Sequence, residues 1–313
     1  MRSHFEDLAR AGGDHAEAAR LAAAVRAGEN SAVADLAALW LHAAAAAPSR
    51  LVDIYDGSAE GWIGRRPDAE VVKSTDTSVT IPDAFWAGFW ALVDDQTAAG
   101  DAGLITQRTA ALAGHLDPGF RTAAVEAALA YPGVRQASEQ GFPARFTLEA
   151  LSRAPAGSLG AEFHHLIVSN GFDLEVLDRD ALGLSDLPPP LDYLNARILQ
   201  CHDLWHITAG YQTTGLHEVA ISGFQAGQFG HNYSAMFLAM VLARMAQNPM
   251  APVSLMLDVI LAAWTHGRES PSLLPVDWPG LWDQSVEDIR EALGMKAYLS
   301  PYPANLFESL RAA

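Results

Sequence analysis

The sequence predicts an all-α fold, a multi-helix bundle with a metal site between two consecutive helices. Long stretches rich in Ala and Leu place apolar residues three and four positions apart, which is the period of an amphipathic helix. Residues 16–26, 31–47 and 106–116 are clear examples, and short Pro or Gly breaks separate such stretches. A third observation, two histidines spaced four apart in a strong helical pattern over residues 191–209, predicts the metal site.

Polar and β-prone composition marks a boundary in the N-terminal third. Residues 71–81 are rich in Val, Ile and Thr and are typical of a β-strand. They lie where the composition turns polar, which predicts a boundary near residue 95. We therefore expect an N-terminal helical extension over residues 1–95 and a helical domain over residues 96–313. No fixed-period repeat and no Gly-rich phosphate loop is found in the sequence.

Charge and hydropathy exclude several classes of function. The 313 residues are half hydrophobic, enough for a large core, and carry a formal net charge of -17. Such a charge repels phosphate backbones, so we expect no nucleic-acid partner. The apolar windows 36–47 and 251–265 are shorter than the ~20 residues of a spanning helix, so no transmembrane helix is predicted. Contact with a membrane surface through apolar side chains stays open.

The single cysteine and the N-terminal residues indicate the cellular compartment of the protein. Cys201 is the only cysteine in the sequence, which excludes an internal disulfide and suits a reducing environment. The first residues lack the uninterrupted apolar core of a signal peptide. We predict a cytoplasmic protein, with a peripheral position on the inner face of the cell membrane as the further expectation.

The helix predicted over residues 191–209 has an apolar stripe that should face the core, formed by Leu194, Ile198, Cys201 and Trp205. Beside that stripe, spacings of three and four place three polar side chains on one patch of the helix surface, those of His202, Asp203 and His206. Gly210 permits the helix to stop. The pattern therefore presents two imidazoles and one carboxylate together.

A fourth candidate ligand follows the loop. Glu218 follows His206 after eleven intervening residues, at the start of the next apolar helical run, so its carboxylate can fold back over the histidines. Two imidazoles with two carboxylates suit one divalent ion of zinc, iron, manganese or cobalt, and do not choose among them. His217 is expected to be exposed or to support the ligands, since it points about 100° away from Glu218, with replacement of one ligand as the lesser alternative.

Other interpretations of the motif compete with a metal site. His202-Asp203-Leu204-Trp205-His206 also fits the polar edge of a packed helix, with both histidines hydrogen-bonded. The HExxH zinc hydrolases differ, because Asp203 is shorter than their general-base glutamate and Glu218 comes too soon for the third ligand. Phosphohydrolases named for a His-Asp pair differ as well, because they require further histidines and a distant aspartate.

The motif also carries a family resemblance. HDxxH, eleven residues and then Glu is the signature of the coenzyme Q biosynthesis protein 4 family, and this chain matches every defined position of it. Further segments resemble that family at residues 151–160, 263–268, 276–283 and 289–294, and the resemblance runs from about residue 97 to about residue 296.

The resemblance implies an all-helical, membrane-peripheral homodimer that serves ubiquinone synthesis with an isoprenoid quinone precursor and other ubiquinone-biosynthesis proteins as partners. Two roles are implied. One is a metal-dependent enzyme that replaces the ring C1 carboxyl group with a hydroxyl group, an oxidative decarboxylation. The alternative is a non-catalytic prenyl-lipid-binding scaffold of the biosynthetic complex. We predict the enzyme first, because a mixed histidine and carboxylate ligand set tolerates an open coordination position.

Two further residues are candidates for substrate binding. Tyr211 lies just over one turn past His206, where it either lines the site or anchors the loop. Arg268 either meets a carboxylate or phosphate group or pairs at a helix end. A prenyl tail needs an apolar groove, for which the Met-rich pattern of residues 236–245 and 255–260 is one candidate, with plain core packing as the alternative.

Overall fold

The structure is a computed structural model that describes residues 2–75, 77–95 and 102–312. The helices in chain order are α1 (Arg2–Ala11), α2 (His15–Arg26), α3 (Ser31–Ala45), α4 (Leu51–Ile63), α5 (Asp83–Asp94), α6 (Ala102–Leu112), α7 (Phe120–Ala128), α8 (Val134–Ser138), α9 (Leu148–Leu151), α10 (Leu159–Asn170), α11 (Leu191–Ala209), α12 (Gly215–Phe229), α13 (Asn232–Ala246), α14 (Val253–Glu269), α15 (Val286–Leu293) and α16 (Leu306–Ala312). Across the described ranges no strand occurs, so the predicted all-α multi-helix fold is confirmed. In the same ranges no helix combines the length and the apolar composition that crossing a bilayer requires.

The strand predicted over residues 71–81 is wrong. The described residues of this segment form neither strand nor helix, and they bond to the end of α3 and the turn after it. The Val79 N–H group donates to Ala46 O at 2.9 Å, and Ser49 Oγ donates to Thr75 O at 3.1 Å. Val and Thr favour a strand only where a neighbouring strand supplies the backbone hydrogen bonds of a sheet. In this segment, backbone groups form their hydrogen bonds with other partners.

Contacts divide the chain into two compact units. The first unit comprises Met1–Ala130 and Ser222–Glu269, and the second comprises Tyr131–Ile221 and Ser270–Ala313. The boundary predicted at residue 95 adjoins residues 96–101, which lie outside the described part of the chain, and it stays a prediction.

The first unit is centred on α3. Every residue from 36 to 45 of this helix is buried, and a helix that is apolar all round belongs in a core. Helices α1, α2 and α13 pack on it. The small residues of α12 allow a close approach to α14, since a Cβ added at Gly227 would lie 2.7 Å from Trp264 O. Met236, Met240 and Met256 are buried in this unit, as core packing requires.

The second unit is built around α11, whose end is held by other segments of the unit. Arg290 of α15 donates from Nη2 to Ile207 O at 2.7 Å and from Nε to Thr208 O at 2.8 Å. The Tyr298 N–H group donates to Ala209 O at 2.8 Å. The last carbonyls of a helix have no partner within the helix, so these bonds satisfy them and fix the end of α11.

Candidate metal centre

Helix α11 has the bounds and the buried face that the sequence predicts. It runs from Leu191 to Ala209 and stops at Gly210, whose φ of 83° is a left-handed conformation that glycine adopts without strain. The whole predicted stripe is buried, comprising Leu194, Ile198, Cys201 and Trp205. Burial raises the pKa of the Cys201 thiol to about 12, so it stays protonated in the core. Of the polar residues beside the stripe, His202 and Asp203 are half-buried and His206 is buried.

Three of these polar side chains converge, as their spacing predicts. One ligand atom from each of His202, Asp203 and His206 lies within 4.8 Å of those of the other two. The Nε2 atoms of His202 and His206 are 3.2 Å apart, and the two rings meet edge to face with centroids 4.9 Å apart. These distances bring two imidazole nitrogens and a carboxylate to one point.

The first turn of α12 brings the fourth side chain to the same point. Glu218 Oε2 lies 3.2 Å from His202 Nε2, and Glu218 Oε1 lies 3.4 Å from His206 Nε2. The loop between α11 and α12 therefore returns the carboxylate over the histidines, as its length predicts. The structure thus brings Glu218 to both histidines, and the ligand roles of the four residues and the ion itself stay predictions.

The charge states follow from these contacts. Burial raises the pKa of the Glu218 carboxyl, but the hydrogen bonds and charges of His202 and His206 outweigh it and hold that pKa well below its ordinary value. Burial raises the pKa of Asp203, with the two histidines opposing it. Glu218 is thus a carboxylate that requires positive charge beside it, which a divalent cation supplies as well as an imidazolium does.

The tautomer of His206 suits a metal ligand. Its Nδ1 atom lies 3.2 Å from the carbonyl oxygen of Gln212, which accepts only, so Nδ1 carries the proton and donates. In the neutral ring the lone pair is then on Nε2, which faces His202 and Glu218. Metal-bound histidines usually donate their other N–H group to such an acceptor, so this donor set fits a divalent ion.

The site is closed on the core side and accessible on the other. Leu204 and Trp205 behind it are fully buried, whereas the side chains of His202 and Glu218 are 17% and 37% exposed. A ligand from solvent can therefore approach over the His202 and Glu218 side.

Tyr211 and His217 lie together beside the loop. The ring of Tyr211 stacks on that of Tyr298 with centroids 4.4 Å apart, and both side chains are buried. Burial raises the pKa of Tyr211 well above its ordinary value. These contacts give Tyr211 the character of a loop anchor, and its predicted role in substrate binding stays a prediction. Sequence spacing gave no signal for Tyr298, which approaches from the C-terminal segment.

His217 supports the loop and is not exposed. Its side chain is buried, and its Nδ1 atom accepts the Gln212 N–H group at 2.8 Å. Burial lowers the pKa of His217, with the positive charge of His206 acting in the same direction. The exposed location that the sequence left open for His217 is therefore wrong, and a role in supporting the ligands stays a prediction.

Arg268 has partners inside the first unit. Its Nη2 atom donates to Glu70 O at 2.7 Å, and its Nε atom lies 3.5 Å from Asp56 Oδ1. The Asp56 carboxylate also accepts the Trp264 indole N–H group at 2.8 Å. Burial raises the pKa of Asp56, with the charge of Arg268 opposing it. This pairing accounts for a buried arginine, and the predicted binding of substrate by Arg268 stays a prediction.

Comparison with known proteins places the four candidate ligands inside a recognised domain. Residues 143–298 match the profile of the family described as coenzyme Q (ubiquinone) biosynthesis protein Coq4. Mitochondrial ubiquinone biosynthesis protein COQ4 homologs are similar in sequence. The one from Drosophila ananassae is 29% identical over 146 residues, which are 46% of this chain and 53% of the relative. The one from Rattus norvegicus is 28% identical over 164 residues, 51% of this chain and 57% of the relative.

The chain thus spans about half the length of the curated relatives that it matches. A solved structure shows the same fold. It is the crystal structure of a candidate ubiquinone biosynthesis protein from Nostoc punctiforme, with a TM-score of 0.51 and 22% sequence identity. The superposition covers 68% of this chain and 97% of that chain.

Proposed function

Because this chain belongs to the coenzyme Q (ubiquinone) biosynthesis protein Coq4 family, we propose that it serves ubiquinone synthesis as a metal-dependent oxidative decarboxylase. The substrate is a prenylated hydroxybenzoate ring, whose C1 carboxyl group is replaced by a hydroxyl group. One observation carries the proposal: the Nε2 atoms of His202 and His206 and the two carboxylate oxygens of Glu218 meet at 3.2 to 3.4 Å.

The residues that hold the ion are the four predicted ligands, His202, Asp203, His206 and Glu218. A bound divalent ion of zinc, iron, cobalt or manganese would supply a Lewis acid that withdraws electrons from the ring's C1 carboxylate. The protein's own groups set the geometry. His206 is oriented by the Gln212 carbonyl, and Glu218 is kept ionised by the two histidines.

The reaction balances with dioxygen and a two-electron reductant. The bond between C1 and the carboxyl carbon breaks and releases carbon dioxide, and a bond from C1 to oxygen forms. One oxygen atom of O₂ enters the ring as the hydroxyl group, and the other leaves as water with two electrons and two protons from the reductant. Buried Leu204 and Trp205 exclude bulk water from the core side of the site.

The remaining partners follow from the substrate. A prenylated ring resides in a bilayer, so we place the protein at the membrane surface; the family resemblance adds a homodimer and other ubiquinone-biosynthesis proteins as partners. A cytoplasmic protein that is peripheral on the inner face of the cell membrane meets these requirements. The four ligand residues all come from one chain, so each protomer carries its own site.

Complementation tests this function. In a host that lacks its own decarboxylation and C1-hydroxylation enzymes, the wild-type gene should restore quinone and Glu218→Gln should not, because a neutral amide weakens the hold on the ion. The matched control is Glu149→Gln, which alters an exposed glutamate of α9 that pairs with Arg153 and should restore quinone as wild type does.

Two other outcomes contradict the proposal. If folded, metal-loaded wild type leaves the prenylated acid to accumulate, the chain is not the decarboxylase and the scaffold role replaces it. If Glu218→Gln holds no ion and still restores quinone at the wild-type rate, the ion is not needed for the reaction. Metal content and circular dichroism are measured on every variant, so that loss of folding is separated from loss of chemistry.

A further inference from the structure

A buried histidine outside the predicted ligand set is tied to the metal site through one loop residue. Gln212 is exposed, yet both its backbone N–H group and its backbone carbonyl group form hydrogen bonds. Its carbonyl oxygen accepts from His206 Nδ1 at 3.2 Å, and its N–H group donates to His217 Nδ1 at 2.8 Å. The carbonyl also accepts the Thr214 N–H group at 3.0 Å. The position of Gln212 therefore fixes the second nitrogen of one candidate ligand.

The His217 ring is itself held in place by packing. It is 3% exposed and meets the rings of Tyr211 and Tyr298 edge to face, with centroids 6.0 and 5.6 Å away. The Tyr298 backbone is anchored to the end of α11 by its bond to Ala209 O. Among the described residues no hydrogen-bond partner of His217 Nε2 is found. The single bond from Nδ1 to Gln212 is thus the polar contact that this buried ring contributes.

The tautomer of His217 follows from that bond. An imidazole nitrogen that accepts an N–H group carries a lone pair, so the neutral ring has its proton on Nε2. His206 has the opposite tautomer, with its proton on Nδ1, because it donates to the Gln212 carbonyl. The two histidines thereby hold one backbone residue between them, one as acceptor and one as donor.

We propose that His217 is a positioning residue of the metal site, which acts on the ligand His206 by holding the Gln212 backbone. This inference rests on the proposed metal site and adds a residue to it that does not touch the ion. Removal of such supporting partners typically costs about 10- to 100-fold in metal affinity. The same loss is expected here, since a displaced Gln212 leaves the His206 ring without its acceptor.

The test uses two variants of nearly equal size, His217→Leu and His217→Asn. Asparagine can present an acceptor oxygen near the position of Nδ1, whereas leucine cannot. Cobalt(II) alone is titrated into each full-length protein, and its dissociation constant and visible absorption spectrum are measured. We expect His217→Leu to weaken cobalt binding at least about tenfold and to change the spectrum. His217→Asn should keep the wild-type spectrum and bind within about threefold of wild type.

The outcomes separate this inference from the metal site itself. Wild type that binds no cobalt contradicts the site. Wild type that binds cobalt, with His217→Leu equal to it or His217→Asn as weak as His217→Leu, overturns the positioning role. If His217→Leu does not fold, nitrogen-15 NMR of the metal-free wild type decides. A protonated Nε2 on His217 and a protonated Nδ1 on His206 support the inference, and the opposite tautomer on either ring overturns it.

Discussion

Two polar clusters, one in each unit, differ in how their charges are matched. In the second unit, His202, His206 and Glu218 bring a pair of imidazole nitrogens and a carboxylate together at 3.2 to 3.4 Å. In the first unit, Asp56 accepts the indole N–H group of Trp264 at 2.8 Å and lies 3.5 Å from the guanidinium of Arg268. The cluster in the second unit gathers hydrogen-bond acceptors. The cluster in the first unit matches donors with acceptors.

The difference separates a binding site from a structural element. A buried charge is tolerated when partners of opposite charge or hydrogen bonds compensate for its loss of water. The cluster of Asp56, Trp264 and Arg268 has such partners within the protein. The cluster of His202, His206 and Glu218 needs a proton or a cation between its acceptors, and the proposed metal ion would meet that need.

The largest effect on stability is expected when the matched cluster is broken. Arg268→Leu leaves the Asp56 carboxyl in the core without its cation, which should lower the free energy of unfolding by about 3 kcal/mol. This loss in the free energy of unfolding is measured by urea denaturation, with circular dichroism as the signal. Metal content should not change, because Arg268 belongs to the structural cluster.

The matched control removes an arginine from an exposed pair. Arg153→Leu breaks the pair with Glu149, whose side chains are 73% and 75% exposed, and should cost less than about 1 kcal/mol. Equal losses for the two variants, or loss of metal from folded Arg268→Leu, would show that the division between a structural and a binding cluster is wrong.

A smaller effect concerns the pH dependence of the same cluster. Burial raises the pKa of Asp56 above its ordinary 3.8, so the folded state binds its proton more tightly than the unfolded state does. The stability that Asp56 contributes is therefore full below about pH 3.8 and decreases as the pH rises through the folded pKa. Asp56→Asn keeps an acceptor for Trp264 and removes this titration.

The measurement compares unfolding free energies of wild type and Asp56→Asn from pH 4 to pH 7. The stability of wild type relative to the variant should decrease with rising pH. A relative stability that increases over this range would mean that the pKa of Asp56 is lowered by Arg268, and that the pair is stronger than the desolvation of the carboxyl.

Helical periodicity predicted the parts of the site that lie on α11. Spacings of three and four fix which side chains share a face, so the convergence of His202, Asp203 and His206 followed from the sequence. Loop length was enough to predict that Glu218 returns over them. The buried stripe that ends in Trp205 was predicted for the same reason, because a helix has one period and one core-facing side.

Contacts that depend on loops and distant segments were not predictable in this way. The bond from Gln212 to His217 depends on the backbone path between two helices, and Tyr298 reaches Tyr211 from a segment more distant along the chain. The strand predicted over residues 71–81 was wrong, because strand propensity carries no information about whether a neighbouring strand exists. Local patterns thus gave the ligands, and tertiary packing gave their support.

Metal analysis of the purified full-length protein tests the central claim, that the acceptor cluster is a metal site. Wild type should hold close to one divalent ion per chain, and the double variant His202→Ala with His206→Ala should hold none. The control is His164→Ala with His165→Ala, which removes two histidines from the surface of α10 and should keep the ion. Equal metal content in wild type and in the folded His202 and His206 variant would contradict the account.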